Sequence, residues 1–116
     1  SIEEILTQHN DVAECAVIGI QDNLKGQVPV GLIVLNNSTI NSTDTIINDT
    51  VNLVREKLGP VASYRKSIIV ESLPKTRSGK ILRSTIAKIL NKEDYKIPAT
   101  IEDINTLEII KSLKYN

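Results

Sequence analysis

The chain has 116 residues, 41% of them hydrophobic and 24% charged, with 14 basic and 14 acidic side chains and no net charge. That is the make-up of one globular domain, and a chain of this size buries ~65% of its unfolded surface, enough for one core without metal or disulfide help. No apolar run approaches the ~20 residues of a bilayer span, no signal peptide is expected from the opening residues, and a single cysteine, Cys15, excludes an internal disulfide.

Phe, Trp and Met are absent and the three aromatic residues are Tyr64, Tyr95 and Tyr115, so Ile, Val and Leu must fill the core. The lack of Met leaves two readings open: an initiator removed before Ser1, or a chain that is a piece of something larger. The zero net charge hides an asymmetry. Residues 1–54 carry seven acids against one base (net −6), residues 55–96 eleven bases against four acids (net +7), and residues 97–116 a net of −1. The basic third fits either a solvated lysine-rich face or a surface that meets an anion such as phosphate or nucleotide.

In chain order, Ser1 and Glu4 form a capping box ahead of Ile2, Ile5, Leu6 and His9, which predicts a short helix over 2–9. Val12 to Ile20 is a β-rich run. The polar stretch Gln21–Gly26 predicts a hairpin loop, and Val28, Val30, Leu32 and Val34 alternate along a second strand. Pro29 has no N–H and belongs at an edge or a bulge. Residues 36–43 are nearly all Asn, Ser and Thr and predict a loop. The four sequons at Asn36, Asn37, Asn41 and Asn48 are read as a by-product of this composition. Ile47, Val51, Val54 and Leu58 predict an amphipathic helix over 44–58, stopped by Gly59-Pro60. Residues 67–71 predict a third strand, 72–80 a loop, and Leu82, Ile86, Ile89 and Leu90 a further helix. A last helix over 103–114 is carried by Ile104, Leu107, Ile110 and Lys111. This order predicts an α+β fold: a small three-stranded, mainly antiparallel sheet covered by helices.

The catalytic inventory is short. His9 is the only histidine, which excludes a His-based metal cluster, and its place on the apolar side of a helix predicts a packed or capping role. Cys15, inside a strand, reads as a buried small hydrophobe. The exception is the basic loop, where Lys75, Arg77, Lys80 and Arg83 fall within nine residues and Pro74 and Gly79 shape the backbone. It is not a P-loop, which needs Gly where Pro74 stands and Ser or Thr where Ile81 stands. Without interleaved aromatics it is also poorly equipped to stack bases.

The segment Leu73-Pro-Lys-Thr-Arg-Ser-Gly-Lys-Ile81 resembles the C-terminal signature of the adenylate-forming acyl-CoA synthetases. Residues 12–19, 24–27 and 54–60 fall in the order and spacing of the same family, so the resemblance covers essentially the whole chain. Short-chain members, the acetyl- and propionyl-CoA synthetases, match best, and residues 95–103 are similar to the propionyl branch. The resemblance implies a ligase: a short-chain carboxylate attacks ATP to give acyl-adenylate and pyrophosphate, and CoA then displaces AMP. It implies Mg2+ in the full-length enzyme. It also implies a large N-terminal adenylation domain and a hinge, both absent here, so the isolated chain is expected to be inactive.

The resemblance assigns Lys80 as the adenylation lysine and Arg55 to the CoA nucleotide phosphate; Gly79 is expected to serve loop geometry, and Gly79 and Arg77 are further expected cofactor-binding residues. It places a structural cation on Thr7, His9 and Val12. Lys80 is further expected to be exposed on a flexible loop and open to a lysine acetyltransferase and deacetylase. No nucleic-acid or membrane partner is expected, and both cytoplasm and mitochondrial matrix are compatible. A stand-alone binding module that reuses the fold is the competing reading.

Overall fold

The structure is a computed structural model and describes residues 1–113. Helix α1 (Ile2–Leu6) opens with the predicted capping box between Ser1 and Glu4. It stops three residues early. The Gln8 and His9 amides reach back only three residues, to the Ile5 and Leu6 carbonyls, and the Thr7 hydroxyl donates to the Glu4 carbonyl at 2.8 Å. This tightening ends the helix and puts His9 in a turn instead of on a helix face.

Strand β1 (Val12–Asp22) pairs antiparallel with β2 (Gly26–Leu35), from Val12 opposite Leu35 to Asp22 opposite Gly26. The loop between them shrinks to three residues because the Asp22 carboxylate accepts the Leu24 and Lys25 amides at 3.1 and 3.0 Å. Strand β3 (Lys66–Ile69) lies parallel to Val30–Ile33, giving the order β1-β2-β3. A parallel neighbour needs a crossover, and α2 (Thr43–Leu58) supplies it. Pro29 lies on the central strand, but β3 begins to pair only at Val30, so the expected edge exists locally.

Helices cover both faces of this sheet, so β1 reads as a nearly unbroken apolar run. Ala16, Ile18, Val30 and Leu32 face Ile86 and Leu90 of α3 (Arg83–Leu90) and Ile110 of α4 (Thr106–Lys111). The alternate residues Cys15 and Ile33 face Ile5 and Leu6 of α1, Val54 of α2, and Tyr64.

Two predicted faces shift. The stripe of α2 that is fully buried is Ile46, Thr50 and Val54, while Leu58 is exposed. Thr50 takes the centre because its hydroxyl serves the Ile46 carbonyl at 2.9 Å and Ser67 Oγ at 2.9 Å, and Ser67 in turn meets the Tyr64 hydroxyl at 2.6 Å. Every member of this buried trio is satisfied, which removes the cost of burying it. Gly31 makes it fit, since a Cβ there would lie 2.0 Å from the Tyr64 oxygen. Helix α4 starts later than predicted because Asp103 holds a turn, its carboxylate on the Asn105 amide and its carbonyl on Thr106. Ile104 is therefore 53% exposed and not a core residue; Lys114, at the predicted end, lies outside the described residues. No helix among the described residues is long and apolar enough to cross a membrane.

Candidate functional site: a basic hairpin and an arginine pocket

The segment read as a flexible loop is a tight hairpin. Leu73 and Pro74 are buried and anchor it. Lys75 then bridges Ile81, the Thr76 amide donates to the Lys80 carbonyl at 2.8 Å, and the Gly79 amide closes the turn on the Thr76 carbonyl at 2.8 Å. Gly79 sits at φ +92°, which a side chain rarely tolerates, so glycine is required at the tip. The Thr76 hydroxyl accepts the Lys80 amide at 3.1 Å and contacts Ser78 Oγ at 3.0 Å. On the other side Thr76 bridges Ile101, so the C-terminal segment braces the hairpin.

The structure sorts the four cations of this segment. Lys75 Nζ donates to Glu14 Oε1 at 2.7 Å and to the Leu73 carbonyl at 3.3 Å. Arg83 forms a two-pronged pair with Glu3, at 2.6 and 2.9 Å. Arg77 turns to the C-terminal segment, its amide on the Thr100 carbonyl at 2.9 Å and its guanidinium 3.5 Å from the Ala99 carbonyl. Lys80 is exposed, and among the described residues no side chain pairs with its ammonium. A free ammonium beside the tip of a braced hairpin can neutralise an approaching anion without first breaking an ion pair.

Arg55 is elsewhere. It stands on the last turn of α2, on the sheet face opposite α3, the helix that follows the Lys80 hairpin. There it lines a pocket of about 150 Å³ with Pro60, Ser63, Tyr64 and Arg65. Ser63, in the left-handed region, and Arg65 also border a groove of about 360 Å³ reached by Lys25 and Lys66, where Lys25 Nζ donates to Ser63 Oγ at 3.3 Å. Two guanidinium groups on one pocket suit a phosphate. The structure thus brings Gly79, Arg77 and Lys80 together and holds Arg55 apart from them.

Thr7, His9 and Val12 do meet in one turn, where the Val12 amide donates to the His9 carbonyl at 3.1 Å. The imidazole there is already engaged. Nδ1 accepts the Asp11 amide at 3.1 Å, which puts the neutral ring's proton on Nε2, 3.5 Å from Asp49 Oδ2. Neither nitrogen offers a spare lone pair, so as arranged these residues do not fit a cation that uses the ring as a ligand. Cys15 is buried, and desolvation first, then the nearby Glu3 charge, pushes its thiol up to about 11, so it is no thiolate nucleophile.

Sequence reasoning missed Glu3, Glu14 and Arg65. Arg65 was visible as one more base of the basic third. Glu14 follows the bulge in β1 between Val12 and Glu14, which re-aims local side chains. Glu3 accepts the Val17 amide at 2.8 Å as well as the Arg83 guanidinium; the Arg83 bond chiefly, against desolvation, holds its carboxyl below the usual 4.5.

A small mixed sheet with helices on both faces and a lysine-bearing hairpin define a recognisable class. Residues 1–80, ending on Lys80, match the model of the AMP-binding enzyme C-terminal domain, and the chain belongs to that family. Its relatives include short-chain acyl-CoA synthetases. The chain is 50% identical over 110 residues to acyl-CoA synthetase short-chain family member B, mitochondrial, of Dictyostelium discoideum, a match covering 95% of the chain and 16% of that protein. It is 47% identical over 103 residues to family member 3, mitochondrial, of Homo sapiens, covering 89% of the chain and 15% of the relative. Among solved structures, an acyl-CoA synthetase of Brucella canis superposes with a TM-score of 0.70 at 27% identity, over 78% of this chain and 17% of that one. The acetoacetyl-CoA synthetase of Streptomyces lividans shares the fold, with a TM-score of 0.71 at 19% identity over 95% of this chain and 17% of that one. The chain spans about a sixth of the length of the curated relatives it matches.

Proposed function

We propose that residues 1–116 act as one C-terminal domain beside an N-terminal adenylation domain, in an enzyme that joins a short-chain carboxylate to CoA at the expense of ATP. Lys80 supplies positive charge where carboxylate and α-phosphate meet, Gly79 shapes the turn that presents it, and Arg55 with Arg65 receives a phosphate of the CoA nucleotide. The observation that carries this reading is the placement of Lys80 and Arg55 on elements packed against opposite faces of one sheet. Two half-reactions served by two faces need a domain that turns between them, as the resemblance implies. Arg77, turned to the Ala99 carbonyl, reaches nucleotide only if that contact opens.

Mg2+ would accompany ATP. Among the described residues no group of three or more His, Cys, Asp or Glu is placed to hold it, and no step is assigned to it on this chain. The names of the relatives favour the mitochondrial matrix over the cytoplasm. Exposure of Lys80 supports its modification by a lysine acetyltransferase and its recovery by a deacetylase.

The test is Arg55→Ala in a full-length synthetase carrying this domain. Loss of one charge-assisted phosphate contact, about 1.5–3 kcal/mol, raises the KM for CoA roughly tenfold to a hundredfold and spares adenylation. Unchanged CoA kinetics would remove Arg55 from the site.

A further inference from the structure

The two ion pairs that neutralise Lys75 and Arg83 are arranged around Lys80. Lys75 lies five residues before it, on the first arm of the hairpin, and Arg83 three residues after it, at the start of α3. Their acidic partners are 61 and 80 residues away in sequence and both belong to the first layers of the fold, Glu14 on β1 and Glu3 on α1. Both contacts are short and charge-assisted, which distinguishes them from incidental surface pairs. The Lys75–Glu14 pair is only 23% and 33% exposed, so solvent screens it less than a fully exposed pair. Lys75 Nζ also holds the Leu73 carbonyl, and Glu3 also holds the Val17 amide, so each pair is fastened to the backbone on one side. The Glu102 amide adds a further bond to the Lys75 carbonyl, at 2.9 Å. The tip, residues 77–80, is exposed, so these tethers act with the buried Leu73–Pro74 anchor and the Ile101 brace to set where Lys80 starts.

We propose that Glu14 and Glu3 are positioning residues for Lys80: Glu14 through Lys75 fastens the entry of its hairpin to β1, and Glu3 through Arg83 fastens the start of α3, just past the exit, to α1, so that the lysine reaches the reacting phosphate in one geometry. The proposal rests on the reading of Lys80 as the adenylation lysine. A misplacement on the order of 1 Å costs about a hundredfold in rate when a charged group must meet a transition state. Releasing one tether leaves the other in place, so about tenfold is expected for either alone.

The experiment uses the full-length synthetase with Glu14→Gln, Glu3→Gln, the exchanged pair Glu14→Lys with Lys75→Glu, and Lys80→Ala. Gln keeps an oxygen for the Val17 amide, so Glu3→Gln removes charge without orphaning that donor. Acyl-adenylate formation from ATP is measured beside thioester formation from pre-made acyl-adenylate and CoA. The proposal expects each Gln variant to lower the adenylation kcat about tenfold at unchanged KM for ATP and carboxylate. Thioester formation stays as in the wild type, and the exchanged pair recovers most of the loss. Wild-type adenylation in both Gln variants, with Lys80→Ala inactive, overturns the tethers and leaves the lysine assignment standing. Equal loss of both half-reactions also overturns them, since the pairs then merely hold the fold. Full adenylation by Lys80→Ala overturns the lysine assignment and the tethers with it.

Discussion

Gly31→Ala tests the packing that joins the sheet to α2. The new methyl would lie 2.0 Å from the Tyr64 oxygen, 3.0 Å from its ring carbon Cζ and 3.1 Å from Leu6 Cδ1, and all three belong to fully buried side chains. Tyr64 cannot swing away cheaply, because its hydroxyl is held at 2.6 Å by Ser67, which is itself bonded to Thr50. Overpacking of this kind costs about 1–3 kcal/mol, and a buried hydrogen bond broken by the displacement adds about 1–3 kcal/mol. A sum near 3 kcal/mol lowers the thermal midpoint of a domain this size by roughly 10–15 °C. Circular dichroism melts of the wild type and Gly31→Ala measure it. In a Tyr64→Phe background the nearest clashing atom is gone while Ser67 keeps its bond to Thr50, so the penalty of Gly31→Ala should fall by about half. A midpoint within about 2 °C of the wild type, or an equal penalty in both backgrounds, would refute the close approach.

Three further outcomes are expected. The Glu3 carboxyl is held below its ordinary 4.5 chiefly by the Arg83 bond, so its contribution is complete above pH 4.5 and is lost as pH falls through the lowered folded value; the stability advantage of the wild type over Glu3→Gln should follow that course, and an advantage that persists to the lowest pH would contradict it. The 116-residue chain alone should show no ATP–pyrophosphate exchange, and measurable exchange would sink the two-domain reading. Acetylation of Lys80 in the full-length enzyme should suppress adenylation by removing its charge, with deacetylation restoring it; full adenylation by the acetylated enzyme would contradict that.

Much of this fold is written in local sequence. Ser1 and Glu4 announce α1, Gly59-Pro60 ends α2, and the apolar runs of β1 and β2 pair through a loop that Asp22 closes. The misread parts are those where distant chemistry overrides local pattern. Thr50 looks like a surface residue until Ser67 and Tyr64 satisfy its hydroxyl, and so the buried stripe of α2 keeps Val54 but runs through Ile46 and Thr50 instead of Ile47 and Val51. Ile104 has the spacing of a core residue, but the Asp103 turn takes it out of the helix. The same holds at the site. The motif around Lys80 is contiguous and legible. Its carboxylate partners, Glu14 and Glu3, carry no local mark because only the folded sheet brings them to the hairpin.

The most direct measurement is the pair of half-reactions in a full-length synthetase carrying Lys80→Ala. Lys80 is the cation of the hairpin whose side chain meets neither an acidic group nor a carbonyl among the described residues, so its removal takes away the charge that the adenylation transition state meets. Acyl-adenylate formation from ATP should fall by about two to four orders of magnitude, while thioester formation from pre-made acyl-adenylate and CoA should continue at the wild-type rate. Unchanged adenylation would remove Lys80 from the chemistry, and an equal fall in both steps would make the hairpin a structural element and not the bearer of a catalytic charge.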